Sequence, residues 1–349
     1  MFRKKTLIHL FLAMLVLVGS ANWLWAQSNC ASTLKKAENL YDEGQIEKIP
    51  EILENCLSYG FSKAQKIRAY ELLIQTYLVD ANTKNAEKYM MKLLKMEPEY
   101  TVNSEIMPAE YESLFDSFQT SAIFSIGVIG GMNRSNVYAY EQYGVHDVNS
   151  VKGDYEQKIG FQFGAFVNKS IIDNLEASVE FQIHQNAYHY LLSNTYSFAT
   201  TEFDEKQTRF EIPVSLLYSY DFNRIKPYAR IGIAPGLITS DQISAIRIYE
   251  DNSHPNITGT NINMMESRNK VSANLILGAG IRYKVNRGYF LLDIRYNLAL
   301  MNQTNAEKRY YNDELLYKYY IVEDNIQFNA LSFSLGYAYS FYKPKKKNK

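Results

Sequence analysis

The stretch that decides the fold is RFEIPVSLLYSYDFNRIKPYARIGIAPGLI, which runs from Arg209 to Ile238. Its apolar residues fall at every second position with polar residues between them, which is the period of a β-strand. In the first half the apolar positions are Phe210, Ile212, Val214, Leu216, Tyr218 and Tyr220. Residues 221–226 supply a short turn, and the alternation resumes after it. The stretch therefore predicts a β-hairpin.

The same alternation recurs along the second part of the chain. It predicts eight strands, at about 122–132, 157–169, 175–190, 206–221, 227–240, 269–285, 289–301 and 327–342. The links between them alternate between short turns and longer loops. This pattern is typical of a bacterial outer-membrane barrel. We therefore expect a mainly β chain, with an eight-stranded antiparallel transmembrane β-barrel over residues 121–342.

The two faces of the predicted strands differ. One face is a long apolar surface with tyrosines near its ends, and the other carries charges of both signs among glycines. A soluble lipocalin-like barrel is the alternative, but its lumen would be too small for so many large apolar groups. The pattern favours a barrel whose apolar face contacts outer-membrane lipid. A structural network of charged residues is then expected to fill the middle of the lumen: Glu180, Glu211, Arg230, Arg282, Asp293 and Arg295. The alternative is that these charges line a transport path.

The start of the chain predicts export. Basic residues at positions 3–5 precede an apolar run at 7–18, which is the pattern of a secretory signal peptide, and cleavage is expected after Ala26. A membrane anchor is the alternative, although the run is shorter than the roughly 20 residues that a spanning helix needs. Residues 1–26 are therefore interpreted as a signal peptide, and the mature chain is expected in an oxidising compartment.

Residues 27–120 have the period of helices, and Gly44 and Gly60 are placed to end two of them. Two helix pairs with a spacing near 34 residues resemble tetratricopeptide repeats, so a small all-α domain in the periplasm is expected before the barrel. Cys30 lies at the start of the first predicted helix and Cys56 near the end of the second. If these two helices form an antiparallel hairpin, the two ends meet. This placement predicts a disulfide worth roughly 3 kcal/mol, with two buried thiols as the alternative.

One pair of motifs carries a family resemblance. The sequence FEIP at Phe210–Pro213, followed by KPYARIG at Lys226–Gly232, resembles the barrel domain of the PorT-like outer-membrane proteins of the Bacteroidetes. The resemblance covers Ala122–Tyr342 and implies a role in type IX secretion, in gliding or in another envelope assembly. The last predicted strand is similar to the signal read by the barrel-assembly machinery, with Gly336, Tyr339 and Phe341 as its elements.

The sequence shows no pattern of a catalytic or cofactor site. His184 and His189 are five positions apart on a predicted strand and so face opposite sides, which disfavours a shared metal. His189 and Ser193 near a rim are more economically interpreted as two loop residues than as a catalytic pair. Glycines occur singly, without a phosphate-binding loop. With 37 basic and 37 acidic residues, the chain has no bulk charge to attract nucleic acid.

Two polar segments remain as possible contact surfaces. The loop at 302–326 is either a partner interface or an extended hairpin above the belt of tyrosines at the membrane interface. Its own tyrosines suit a protein interface: Tyr310, Tyr311, Tyr317, Tyr319 and Tyr320. The basic tail at 343–349 is expected to be solvated or to lie along anionic head groups, with partner binding as the alternative.

The sequence favours a non-enzymatic accessory or scaffold subunit of an envelope assembly. The helical pairs and the outer loops are the expected docking surfaces for other envelope proteins. A narrow channel or small-ligand receptor that uses the charged lumen is the first alternative, and a hydrolase with a site at the rim is the second.

Overall fold

The computed structural model describes residues 29–145, 153–172, 174–194, 198–222, 224–251, 254–259 and 261–347. The chain divides into two compact units, Met1–Ser121 with Tyr342–Lys349, and Ala122–Phe341. We call the first the helical unit and the second the barrel. The predicted signal peptide lies outside the described residues. Among the helices of the described ranges, none combines the length and apolar character needed to cross a membrane.

The helical unit contains α1 over residues 29–42, α2 (Ile49–Ser58), α3 (Lys63–Val79), α4 (Thr83–Met96) and α5 (Ala109–Asp116). Local sequence explains the boundaries. Ser62 caps α3, since its hydroxyl accepts from the Gln65 amide while the Gln65 side chain accepts from the Ser62 amide. Gly44 ends the first helical segment with a φ of 74°, a conformation that favours glycine.

The predicted disulfide between Cys30 and Cys56 is confirmed, with the two Cα atoms 5.6 Å apart. It joins α1 to α2 beside a core that includes Leu53 and Leu73. A second core between α3, α4 and α5 surrounds Met90. The bridge therefore ties together the first hairpin of the helical unit.

The basic segment 343–347 also belongs to the helical unit. Lys345–Lys346 pairs with Phe118–Gln119 as an antiparallel ribbon, and Lys346 Nζ lies 2.5 Å from Glu87 Oε1. The lysine side chains of the segment are exposed, as expected of a solvated tail, although its backbone is paired rather than free. Its backbone groups find partners in the ribbon, and a glutamate compensates one of its charges.

The barrel is a closed ring of eight strands, as predicted. Each strand is paired with the next one along the chain, and the last neighbours the first. The strands are β1 (Ala122–Glu141), β2 (Gly153–Gln157 and Ile159–Ile172), β3 (Leu175–Asn194), β4 (Ala199–Glu211 and Val214–Ser219), β5 (Ile225–Tyr249), β6 (Val271–Val285), β7 (Gly288–Ala299) and β8 (Asn325–Tyr342).

The apolar face of the strands points outward, as the alternation predicts. Phe163 is 64% exposed and Leu335 is 66% exposed, while the residues between such positions are buried in the lumen. Closely packed apolar side chains with this exposure fit a lipid environment rather than water. The outward face of the barrel is therefore its membrane-contacting surface.

Several strands continue well past the apolar band, on the rim that carries the long links, which we call the upper rim. β5 has 25 residues, whereas about 10 suffice to span a bilayer. On β4 the outward positions become polar above Phe210, at Thr208, Lys206 and Asp204. Parts of the predicted loops at 133–156, 191–205 and 241–268 are therefore strand, and they form an upper extension of the barrel outside the membrane.

The link between β7 and β8, residues 300–324, is the mouth segment. It contains one π-helical turn, Leu315–Tyr319, and it contributes to an apolar cluster in the upper lumen. The buried members of this cluster are Tyr188, Tyr190, Leu192, Phe203, Ile243, Ala245, Ile262, Met264, Leu315, Tyr319, Ile321, Ile326 and Phe328. The mouth segment thus closes the upper rim with a hydrophobic core of its own.

Candidate functional site

The lumen is filled in layers, and the lowest layer centres on Arg282 of β6. Its guanidinium donates to both carboxylate oxygens of Glu176 on β3, at 2.9 and 2.8 Å. It also lies 4.9 Å from the ring centre of Tyr228 and 4.8 Å from that of Tyr289. Lys226 Nζ is a second cation beside Glu176, at 3.4 Å. Two aromatic faces and one carboxylate therefore hold the arginine across the bore.

The middle layer is a four-residue ion network. Glu180 of β3 accepts hydrogen bonds from Arg230 of β5 and from Arg295 of β7, the latter at 2.8 Å. Asp293 accepts from Arg295 and from the hydroxyl of Tyr228. All four ionic side chains are buried, and their formal charges cancel. Such a network lowers the cost of desolvating each charge and leaves no net charge in this layer.

The third layer contains Glu211, which separates a buried arginine from a buried histidine. Glu211 lies 3.3 Å from His184 Nδ1 and 3.6 Å from Arg209 Nε, and it accepts from Asn274 at 3.0 Å. A small cavity beside this layer has room for about one water molecule. Its lining is polar and comes from facing strands: Gln162, Gln182, His184, Glu211, Arg295, Asn297, Ser332 and Ser334, with Pro213 and Ile276.

The fourth layer lies in the upper extension and was not expected from the sequence. Arg268, which precedes β6, binds both oxygens of Glu205 at 3.0 and 2.9 Å and binds Asp241 at 2.6 Å. It also pairs with Glu323 of the mouth segment. Glu205 and Asp241 occupy inward positions of β4 and β5 in stretches that we had interpreted as loops. Extending the alternation past residues 206 and 240 would have found them.

Arg309 fastens the mouth segment to the barrel wall. Its guanidinium carbon lies 3.6 Å from the ring centre of Tyr143, and it donates to Asn325 Oδ1 at 2.6 Å. Asp324 accepts from the backbone amide of Tyr143 at 2.8 Å and from the hydroxyl of Tyr155 at 2.7 Å. The upper closure is therefore held by polar contacts as well as by its apolar core.

The six lumen charges named from the sequence all point inward, but they do not form one group. Glu180, Arg230, Asp293 and Arg295 make the middle layer, while Arg282 belongs to the layer below and Glu211 to the layer above. The regular alternation of β2 would place Lys158 on the lumen face as well. It lies instead between the two parts of β2, where its Nζ is 2.5 Å from the outward-facing Asp204.

The tyrosines of the mouth segment divide into two sets. Tyr310, Tyr311 and Tyr317 are exposed, whereas Tyr319 is fully buried in the upper core and Tyr320 takes a left-handed backbone conformation. Tyr319 therefore cannot serve as a partner contact while the segment is closed. The expectation of an extended hairpin is wrong, because the apolar residues between the tyrosines draw the segment inward.

The residues of the expected assembly signal lie on the last strand. Gly336 faces the lumen, where a Cβ atom would meet the backbone of β1. Tyr339 and Phe341 face outward, each 41% exposed, and Phe341 stacks on Phe124 of β1 with ring centres 4.6 Å apart. These outward aromatics lie at the lower rim, where the chain also enters β1.

The described residues contain no group of three or more His, Cys, Asp or Glu side chains arranged to hold a metal ion. His184 and His189 face opposite sides of β3, as their spacing predicts. His189 Nδ1 lies 2.8 Å from Asp204 and Nε2 lies 3.7 Å from Glu202. Both ring nitrogens are thus engaged by carboxylates across the strand pair rather than by Ser193.

A closed ring with an apolar outer face and a bore packed with paired charges defines an integral membrane β-barrel. A comparison with protein families identifies the particular class. The model of the outer membrane protein beta-barrel domain matches residues 117–305, more than half of the chain. The protein therefore belongs to this family of outer-membrane barrels, and its location is the outer membrane.

Solved structures with a similar fold are barrels of other bacteria. Neisserial surface protein A is 16% identical, with 62% of this chain and 97% of that chain covered and a TM-score of 0.33. OprG from Pseudomonas aeruginosa is 9% identical, with 64% of this chain and 98% of that chain covered and a TM-score of 0.37. The outer membrane protease OmpT from Escherichia coli is 10% identical, with 62% of this chain and 95% of that chain covered and a TM-score of 0.21. Among curated proteins the chain has no match.

Proposed function

We propose that the protein is a non-conducting outer-membrane anchor that serves as an accessory subunit of an envelope assembly. The observation that carries this proposal is the filled lumen. Four layers of paired side chains and an upper apolar core occupy the bore, and the small cavity beside the third layer holds about one water molecule. A barrel of this kind offers its surfaces, rather than its interior, to other molecules.

The helical unit is the proposed docking surface. It is a separate compact unit with a disulfide and its own cores, and its described residues expose three large apolar side chains. Tyr59 is 88% exposed, Val79 is 64% exposed and Ile106 is 70% exposed. Exposed side chains of this size gain most from contact with another protein. The PorT-like motifs support an assembly of the type IX secretion or gliding kind, with the helical unit in the periplasm.

Site-specific photo-crosslinking in cells tests the docking surface. A crosslinker at Tyr59, Val79 or Ile106 is expected to join the protein to a defined envelope protein in near-stoichiometric yield. Tyr317, which is 70% exposed on the mouth segment, is the matched position outside the helical unit. If the positions in the helical unit give only scattered products, or the same products as position 317, the helical unit is not the docking surface.

Conductance in planar bilayers tests the anchor against the channel. The wild-type protein is expected to give no steady current, because the ion network and the mouth segment fill the bore. A double variant that shortens two arginines of the middle layer, Arg230→Ala with Arg295→Ala, is expected to stay closed as well, because the Arg268 layer and the mouth segment still fill the upper bore. Steady ion-selective current through the wild-type protein would contradict the proposed function and favour the channel.

A further inference from the structure

The Arg268 cluster in the upper extension has more acidic than basic groups. Glu205, Asp241 and Glu323 all contact the single guanidinium of Arg268, and each of the four side chains is at least nine-tenths buried. With every group ionised, three negative charges face one positive charge. The middle layer of the same lumen is neutral by contrast. Two uncompensated charges in a buried site are costly, and the remedy proteins use is to take up a proton.

Neighbouring charges do not supply the missing compensation. Below the cluster, Arg209 of β4 also attracts Asp241, but its single charge is shared with Glu211, 3.6 Å away. On the mouth segment, Arg309 lies beside Asp324, which it offsets. Arg247 of β5 is six residues above Asp241, about 20 Å along the strand, where it donates to the carbonyl of Tyr319.

The uncharged neighbours act as hydrogen-bond donors only. The hydroxyl of Tyr188 on β3 donates to Glu205 at 2.5 Å, and Gln207 donates to Asp241 at 2.9 Å. The charge excess therefore stays within the cluster.

Unpaired acceptor atoms point to the same conclusion. Asp241 Oδ1 and Glu323 Oε2 are buried without a hydrogen-bond partner, although the Ser267 side chain also favours the ionised form of the Glu323 carboxyl. A carboxylate oxygen without a donor is unfavourable in a dry site, and a proton on one carboxyl supplies a donor for the other. Burial also raises the pKa of the Glu323 carboxyl, with Arg268 opposing the rise and Asp241 adding to it.

The cluster joins elements that are otherwise far apart in the chain. Glu205 and Asp241 belong to β4 and β5 of the wall, Arg268 belongs to the link before β6, and Glu323 belongs to the mouth segment. When the mouth segment lifts from the barrel, Glu323 leaves the cluster and becomes solvated. Its affinity for a proton then returns to that of an exposed carboxyl.

We propose that the Arg268 cluster holds at least one proton while the mouth segment is closed and releases it when the segment opens, which makes the segment a proton-linked closure of the upper rim. The direction follows from the carboxyl whose pKa is raised in the closed state. Its contribution to closure is fully present below its ordinary value of 4.5 and is lost as the pH rises through the raised value. Alkaline conditions therefore loosen the mouth segment.

Hydrogen exchange of the full-length protein in detergent micelles between pH 5 and pH 9 tests the proposal. The peptide covering the buried end of the mouth segment reports its opening. The variant Glu323→Gln keeps the side-chain size and removes one ionisable group. Because intrinsic exchange rates cancel at each pH, the ratio of wild-type to variant opening constants is expected to rise by up to about tenfold per pH unit for one proton.

Glu314→Gln is the matched control. Glu314 lies on the same segment but is partly exposed and paired with Lys318 at 2.8 Å, so this substitution is expected to leave the pH dependence unchanged. A wild-type to Glu323→Gln ratio that does not change with pH would overturn the proposal. So would a Glu314→Gln variant with the same loss of pH dependence as Glu323→Gln.

Infrared spectroscopy of the wild-type protein keeps the proposal testable if Glu323→Gln does not fold. A protonated carboxyl absorbs apart from carboxylates and amides, and the band is expected at neutral pH. It should diminish with rising pH in step with the faster exchange of the mouth segment. The absence of the band at neutral pH would refute the closure by a proton, whether or not the barrel conducts or binds partners.

Discussion

Replacing Glu180 by alanine is the sharpest test of the lumen as a structural network. The side chain is fully buried and accepts hydrogen bonds from Arg230, Arg295 and Gln182. In the wild-type protein two arginines face Glu180 and Asp293, and the charges cancel. In Glu180→Ala one positive charge is left without compensation among buried side chains. Breaking a buried pair in this way costs about 3–5 kcal/mol of the free energy of unfolding.

Reversible urea unfolding in lipid vesicles measures this cost. Far-UV circular dichroism follows the loss of β-structure, and the electrophoretic mobility of unheated samples separates folded from unfolded barrels. The matched control is Glu266→Ala, which removes one partner of a solvent-screened surface pair with Lys308, 2.6 Å apart, and is expected to leave the stability unchanged. If Glu180→Ala costs less than about 1 kcal/mol, the middle layer is hydrated and our account of a packed, neutral middle layer is refuted.

Three further changes have outcomes that the structure fixes. Reducing the bridge between Cys30 and Cys56, 26 positions apart, should lower the stability of the helical unit by about 3.5 kcal/mol, measured by thermal unfolding with and without reductant. Gly131→Ala should prevent barrel folding, because its Cβ atom would overlap a backbone carbonyl of β8, whereas Gly130→Ala on the outward face meets nothing closer than 3.4 Å and should fold normally on a heat-modifiability gel. Tyr319→Ala removes a fully buried ring from the upper core and should cost about 3–5 kcal/mol, so that protease cleavage of the mouth segment becomes faster while cleavage of the helical unit does not change.

The barrel itself was predictable because a strand repeats every two residues. Once the outward set was recognised at Phe210 and its neighbours, every intervening residue had to face the lumen, and Glu180, Arg230 and Arg295 were placed without any knowledge of their partners. Their division into layers was not predictable from one strand at a time. It depends on the stagger between neighbouring strands, which fixes which inward residues meet across the bore.

The upper extension was missed for a different reason. Above the membrane the outward positions become polar, and a strand with Lys206 and Asp204 outside and Glu205 inside shows little hydrophobic alternation. The signal on which the interpretation relied is therefore weakest where the strand leaves the lipid. The inward folding of the mouth segment depends on contacts with several strands at once, such as those of Tyr319, and no local pattern encodes them.

The pairing of Phe118–Gln119 with Lys345–Lys346 has a consequence for the order in which the protein matures. These two short segments flank the whole barrel in sequence, so the helical unit takes its last piece only after all eight strands have been synthesised. The helices and the disulfide can form early, yet the ribbon waits for the final strand. A chain that stalls during barrel assembly therefore carries an incomplete helical unit. The backbone edge of Phe118–Gln119 is then unpaired, and a quality-control factor can bind it as a mark of an unfinished chain.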